Sequence, residues 1–247
     1  MIKFLGQCVE NLITAIKYMF SGTVAFSNVI SQAASIGYDS LLISLTIVFI
    51  AASVIALQVS HQFLMTGGES YIGGFLTVAL IREIAPGFAA LAIGARAGTA
   101  ITAQIANMQV TSQVDAMKVL KVNPVGYYFA PRIIAAAITC VFVVVLAEFV
   151  GVLGGSLVSY FAIGLHPARY FNSVWLMLST KDIYISLFKG AVFGIIIADI
   201  CSTVGYNTQG GAKNVGESTT KSAILCTLYL LIADLIIDFL FYGTTMG

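Results

Sequence analysis

The sequence predicts an all-α membrane protein: an N-terminal interfacial amphipathic helix, five transmembrane helices, and a short cytoplasmic helix between the second and third spans. Of 247 residues, 59% are hydrophobic and 9% charged, against about 25% charged in an average soluble domain. With a mean hydropathy of +0.96, there is too little polar surface to cover a water-soluble globule, so the bilayer is the expected solvent. Long apolar runs recur along the chain, and polar residues gather in short stretches between them. Intrinsic disorder and collagen-like repeats are excluded by the same figures. The 12 basic and 11 acidic residues sum to +1, which supplies neither a basic field for nucleic acid nor an acidic tail.

Residues 2–20 set Leu5, Val9, Leu12, Ile13, Ile16 and Phe20 at helical spacing around a narrow polar stripe of Lys3, Gln7, Glu10, Asn11, Thr14 and Lys17. A signal peptide needs an uninterrupted apolar region, which this stripe denies; a helix lying in the interface fits, and a helix docked on protein is the alternative. Residues 1–38 form this helix and its connection, and residues 39–247 the membrane domain. No Asp, Glu, Lys or Arg occurs from Ser40 to Gly68, and Leu41–Leu57 opens the first span. Thr66 to Ser70 reads as a turn. The second span, Tyr71 to about Ile105, is interrupted by Arg82, Glu83, Pro86 and Arg96.

Gln109–Asn123 is the most polar internal stretch, and its Val and Leu spacing predicts a short amphipathic helix that Pro124 ends. Ile133–Ile163 follows, 31 residues with Glu148 its one charge. It exceeds the roughly 20 needed to span, which implies tilt, a break near Gly151, Gly154 and Gly155, or an end outside the bilayer. A polar loop is expected from Gly164 to Asp182, then spans at Ile183–Val204 and Ser222 to about Tyr242, joined by a polar link from Gly205 to Lys221.

Small residues four apart, Gly94 with Gly98, Gly151 with Gly155 and Gly190 with Gly194, would let helices approach closely, inside the chain or at a dimer seam. Eight of the 12 basic residues fall on one side of this topology (Lys3, Lys17, Arg96, Lys118, Lys121, Arg132, Lys213, Lys221) against Arg169 and Lys181 on the other. That asymmetry places the N-terminus in the cytoplasm, with the 67–70 turn, the 164–182 loop and the C-terminus outside. Four cysteines without a CxxC, and histidines only at 61 and 166, read as small hydrophobes and isolated side chains, with no disulfide, metal or Cys/His site.

Arg82 and Glu83 stand about halfway along the second apolar segment. Each would cost roughly 2.5–3.5 kcal/mol at the centre of an inserted helix, so they must pair, face protein or line a wet cavity. An apolar wall carrying an Arg and a Glu at its rim suits an amphiphile, whose anionic headgroup meets the guanidinium while its tails lie on Leu, Ile and Phe. A plain ion pair between helices is the alternative. Glu148, Asp199, Asp234 and Asp238 are the other intramembrane acids. A proton relay through Asp199, Asp234 and Asp238 would make the chain a secondary carrier; no intramembrane histidine or inverted repeat accompanies them, and helix-to-helix hydrogen bonding explains them equally. No nucleophile, base and orienting group converge, so no catalytic residue is assigned.

The runs Arg82-Glu83-Ile84-Ala85-Pro86, Gly94-Ala95-Arg96-Ala97-Gly98-Thr99-Ala100, Ala103-Gln104-Ile105, Asn123-Pro124, Pro131-Arg132, Gly154-Gly155-Ser156-Leu157 and Lys189-Gly190-Ala191-Val192-Phe193-Gly194, with Gly205-Tyr206 and Gly210-Gly211-Ala212, stand in order over residues 40–245. Together they resemble the signature of the MlaE/YrbE permease family, the membrane subunits of ABC transporters that work with MCE proteins. The resemblance implies a homodimeric, non-catalytic permease that moves phospholipid or a related lipid and is powered by a cytoplasmic ABC ATPase. It implies no cofactor or metal, and an MCE-domain protein capping the outer face. Carried over residue by residue, it places Arg82 and Glu83 at an outward-facing lipid cavity, with apolar walls drawn from Leu57, Phe63 and Leu64. Contact with the ATPase falls to Thr111, Gln113, Asp115, Met117, Lys118 and Leu120.

Two departures from the family pattern bear on this. Gln104 stands where the family carries an acid, which removes an ion pair, most simply one with Arg96. Lys121 replaces a glycine at the end of the coupling helix. A bacterial inner membrane is the expected location, since no transit-peptide composition precedes the first helix, and a plastid membrane comes second. A proton-coupled carrier and a structural assembly subunit are the competing functions.

Overall fold

A computed structural model describes residues 2–21 and 24–243. Among the described residues, ten α-helices are joined by one 3₁₀ turn and two π-helical turns, and five segments are long and apolar enough to cross a membrane: 26–66, 69–110, 124–163, 180–206 and 212–241. The five expected spans are these five. The far C-terminus, expected on the outer side, lies outside the described residues.

Helix α1 (Ile2–Phe20) presents three faces. Cys8 and Ala15 are buried where it packs on the third and fourth spans, and Asn11 Nδ2 donates to Thr203 Oγ1 at 3.0 Å. Lys3, Glu10 and Lys17 are exposed, and so is an apolar stripe of Leu5, Val9, Ile13, Ile16 and Phe20. The helix is therefore docked on protein by one face and leaves a second apolar face uncovered.

The first span, α2 (Phe26–Thr66), starts well upstream of the expected Leu41. Nothing between Phe26 and Ser40 breaks a helix, and the polar residues there sit at its end. It stops where Gly67 takes φ 71°, whose backbone amide reaches the Leu64 carbonyl. The second span is composite: α3 (Ile72–Ala79), a π turn at Leu80–Ile84, α4 (Ala85–Ile93), a second π turn at Gly94–Gly98, and α5 (Thr99–Val110). A short helix, α6 (Gln113–Val119), follows within the expected 109–123 stretch.

Helix α7 (Pro124–Ile163) begins nine residues before the expected Ile133. Asn123 Oδ1 accepts from the Val125 and Gly126 amides at 3.0 and 3.3 Å, and Pro124 supplies a preformed first turn. Of the three ways its length could be met, a break at the Gly151 cluster does not occur. Those glycines instead admit side chains of α2 and of the second span: a Cβ on Gly151 would lie 2.5 Å from Leu80 of the first π turn, and one on Gly154 2.7 Å from Phe49 of α2.

The expected loop at 164–182 contains a further helix, α8 (Pro167–Met177), capped by His166 Nδ1 on the Ala168 amide at 3.2 Å. Seven of its eleven residues are apolar, so the segment is not the polar loop expected; it is too short to span, and Tyr170 and Val174 fix it against α3. The last two spans are α9 (Thr180–Tyr206) and α10 (Ala212–Phe241), so that the 205–221 link shrinks to Asn207–Gly211. One apolar core runs through α2, α4, α7, α9 and α10.

All three glycine pairs meet neighbours within the chain: Gly94 faces Cys226, Gly98 faces Cys201, Gly190 faces Val141 and Gly155 faces Leu76. The tightest is Gly194, where a Cβ would lie 2.3 Å from the Ala136 carbonyl oxygen of α7, a backbone atom that cannot swing away. Gly194→Ala should therefore lower stability by about 1–3 kcal/mol, the usual range for overpacking. Gly216→Ala, at a helical glycine with open space around it, should hold or gain about 1 kcal/mol through helix propensity. Thermal unfolding of the two variants in detergent separates the cases.

Candidate functional site

The site begins with a proline. Pro86 has no amide hydrogen, so the carbonyl four residues before it, that of Arg82, loses its ordinary helical donor. The π turn at Leu80–Ile84 accommodates the ring and shifts the ladder, the Ala85 amide bonding to the Leu80 carbonyl. The Arg82 carbonyl is met instead by Lys189 Nζ, 2.8 Å away on α9.

Lys189 is completely buried. Its ammonium lies 3.1 and 3.2 Å from the two carboxylate oxygens of Glu83, 2.7 Å from Asp234 and 2.6 Å from Asp238. Three N–H bonds cannot align with that many acceptors. The Asp234 and Asp238 contacts are accordingly ionic rather than aligned hydrogen bonds, and their facing oxygens have no other partner. Glu83, Asp234 and Asp238 converge closely enough to ligate a cation, but the chain's own ammonium already stands among them.

Arg82 is held separately. Its Nε donates to Asp182 Oδ1 at 2.8 Å, and its guanidinium lies 4.5 Å over the Tyr242 ring. Asp182 is buried and accepts also from the Tyr242 hydroxyl, at 3.0 Å, and from the Ser179 amide, at 3.2 Å, in a capping box that starts α9. Burial, and then the Asp182 carboxylate, push the Tyr242 phenol well above its ordinary pKa, so it remains a donor. Lys181 Nζ reaches the Phe241 carbonyl at 3.0 Å and completes the tie between the start of α9 and the end of α10.

Beside these charges opens a cavity of about 370 Å³ lined by Phe75, Val78, Ala79 and Met177 on its apolar side and by Arg82, Glu83, Asp238 and Tyr242 on its polar side. Arg82 and Glu83 are thus brought to one cavity. Phe63 reaches its edge through Phe75, ring centroids 5.6 Å apart. Leu57 and Leu64 are exposed on α2 and do not line it. Asp199 lies ten residues beyond Lys189 on α9, about 15 Å away along the helix, so the three aspartates considered for a relay are not one cluster. Glu148 is engaged elsewhere, accepting from the Ser186 hydroxyl.

Lys189, Asp182 and Tyr242 were missed by the sequence reading as parts of the site. Lys189 carried a signal: a lone cation in an apolar segment, with two acids four apart on the next helix. Asp182 and Tyr242 carried none, since each sits at a helix end where polar residues are common.

At the opposite end of the bundle, α6 is anchored by Val114, fully buried, and exposes Thr111, Gln113, Asp115, Lys118, Val119 and Leu120, with Met117 half-buried. Lys118 pairs with Asp115 at 3.0 Å and lies 5.8 Å over the Tyr206 ring, contacts that raise its pKa. The helix ends in a Schellman arrangement, the Val122 amide to the Met117 carbonyl and the Lys121 amide to that of Lys118, both 3.0 Å. Lys121 occupies the left-handed position at φ 59°, where glycine would be unstrained. Arg96 pairs with Asp39 at 3.1 Å and not with residue 104; the partner of Gln104 is Arg132, whose Nη2 donates to it at 3.2 Å.

Residues 29–240 match the family profile described as Permease MlaE. A probable ABC transporter permease protein of Synechocystis is 35% identical over 228 residues, covering 92% of this chain and 87% of its own length. A second, from Rickettsia prowazekii, is also 35% identical, over 92% of this chain and 88% of its own. The chloroplastic protein trigalactosyldiacylglycerol 1 of Arabidopsis thaliana is 30% identical over 91% of this chain and 64% of its own length.

Two outcomes follow from these contacts. Lys189→Met leaves three carboxylates facing one another without their cation and should cost about 3–5 kcal/mol; adding Asp234→Asn and Asp238→Asn should recover part of the loss, as read from thermal unfolding of the single and triple variants. Lys121→Gly should relieve about 1 kcal/mol of backbone strain and slow amide hydrogen exchange at Lys121 and Val122.

Proposed function

Because the chain belongs to the MlaE permease family, we propose that it is the membrane subunit of an ABC transporter that moves phospholipid or a related lipid, acting as a homodimer and driven by a separate ATPase. The carrying observation is the 370 Å³ cavity, apolar along Phe75, Val78 and Met177 and charged at Arg82 and Glu83. That size accepts a headgroup and the first methylenes rather than two full acyl chains, which supports a second subunit completing the passage. The lipid-bearing name of the Arabidopsis relative supports the same class of cargo.

The chain contributes no bond-breaking chemistry in this reading. Arg82, stacked on Tyr242 and fixed by Asp182, offers its remaining N–H groups to an anionic headgroup. Helix α6, with Val119 and Leu120 exposed at its tip, is the contact for the ATPase, whose nucleotide-bound and free states would hold it differently and so bias the cavity between conformations. Thr111, Gln113, Asp115, Met117 and Lys118 belong to that contact. The excess of basic residues at the α1 and α6 end supports a cytoplasmic N-terminus in the inner membrane, with α1 resting its exposed apolar stripe in the interface. An MCE-domain protein would then cover the outer mouth beside α8.

Val78→Trp tests the proposal by filling the cavity without touching a charge. In proteoliposomes holding the permease with its ATPase, ATP-driven lipid transfer should fall roughly tenfold, a barrier change of about 1.4 kcal/mol, while assembly and basal ATP hydrolysis persist. Unchanged transfer from a complex that assembles normally would remove the cavity from the pathway and fit a structural assembly subunit instead.

A further inference from the structure

We propose that buried Arg132 is the centre of a second ligand site, at the end of the bundle opposite the Arg82 cavity, and that it takes the phosphate of a lipid headgroup. The inference does not depend on the transport reading, because a lipid held there would brace α2, α5 and α7 whether or not cargo moves.

Arg132 is 4% exposed. Its Nη1 donates to the Tyr128 carbonyl at 2.9 Å and its Nη2 to Gln104 Oε1 at 3.2 Å, while Nε is buried with no partner. Both acceptors are neutral. Among the described residues no carboxylate lies within 4.0 Å of the guanidinium, although Arg82 is given Asp182 and Arg96 is given Asp39. Its guanidinium also lies 5.7 Å over the Tyr128 ring, but a ring face supplies no counter-charge; a desolvated guanidinium without one is expensive, and an anion from outside the chain would balance it.

Space and donors for that anion adjoin it. A cavity of about 190 Å³ borders Arg132 and is lined by Asn28, Ser31 and Gln32 of α2, Met108 of α5 and Tyr127 of α7. The amide and hydroxyl groups of α2 suit phosphate oxygens, and Met108 and the tyrosine ring provide an apolar wall for glycerol and the first methylenes. The depth is also right. Helix α7 has 40 residues, about 60 Å of rise against a hydrocarbon core of about 30 Å, so about 15 Å projects at each end if it is centred. Arg132 lies about 12 Å from Pro124, at the polar edge of the core, with Tyr127 and Tyr128 at the level where aromatic residues anchor helices.

The neutral Gln104 makes the site testable in place. Gln104→Glu hands Arg132 an internal carboxylate that competes with any external anion. The full-length chain in detergent is titrated with dioctanoyl phosphatidylglycerol, dioctanoylglycerol and inorganic phosphate while its unfolding midpoint is followed. Phosphatidylglycerol should raise the midpoint of the unaltered chain and dioctanoylglycerol should not. In Gln104→Glu the half-saturating lipid concentration should rise roughly tenfold, with the lipid-free midpoint unchanged or higher. Gln209→Glu, the same charge change in an exposed loop, should respond as the unaltered chain does. Equal lipid response in the unaltered chain and Gln104→Glu would overturn the site, and a response to inorganic phosphate equal to that of phosphatidylglycerol would overturn its assignment to lipid.

Discussion

Burying the ammonium of Lys189 constrains more of this molecule than any other contact. A charge in the middle of an apolar helix bundle is tolerable only if every direction it can donate in meets an acceptor. Here the acceptors, the carbonyl of Arg82 and the carboxylate of Glu83, come from the second span, and the ionic partners Asp234 and Asp238 from the fifth. One nitrogen therefore fixes the depth and rotation of three helices. The backbone acceptor exists only because Pro86 removed its ordinary donor, so a defect in one helix is completed by a side chain from another.

That arrangement also explains why the cavity lies where it does. Lys189 draws Glu83 and Asp238 toward the bundle axis, and Asp182 with Tyr242 holds Arg82 on the other side of the same turn. Between the two groups the chain cannot close, and Phe75, Val78 and Met177 line what remains. The helix that supplies Arg82 and Glu83 runs through a second π turn and ends one residue pair before α6. In the proposed function a push on α6 thus reaches the cavity along one continuous element whose π turns are its softest points.

Much of this was legible in the sequence because membrane folding is governed by segment length and charge placement. The five spans and the position of α6 follow from apolar runs and the polar stretch between them. The boundaries were less legible. Residues 26–40 and 212–221 carry many polar residues yet are helical, since a helix that leaves the bilayer needs no apolar side chains to continue; α8 is an eleven-residue helix too short to register as a span, and its apolar residues are split between the buried Tyr170 and Val174 and the exposed Trp175 and Leu176. Arg82 and Glu83 were visible as the site because charge inside an apolar run has few explanations. Their partners were not. Pairing across 100 residues of sequence, as between Arg82 and Asp182, depends on how helices rotate, and a one-chain sequence carries no record of that. The partner of Gln104 illustrates the same limit, since Arg96 is nearer along the chain and Arg132 is nearer in space.

The near-zero net charge then acquires a direction. Around the cavity, three cations, Arg82, Lys181 and Lys189, stand among four carboxylates, Glu83, Asp182, Asp234 and Asp238. At the other end Arg132 is paired with no carboxylate among the described residues, and Lys3, Lys17, Lys118, Lys121, Lys213 and Lys221 are exposed on α1, at the end of α6 and in the first turns of α10. A chain with a formal charge of +1 is therefore electrically divided along its axis, acidic where the apolar cavity opens and basic where the short helix projects. The same division works on two scales. Over the whole chain it supports the proposed sense of insertion, in which the basic segments stay on the cytoplasmic side. Within the bundle it leaves one end with more carboxylates than cations and the other with a guanidinium short of a counter-charge, so the two proposed sites differ in kind: an amphiphile that tolerates acidic neighbours beside Arg82, and an anion beside Arg132.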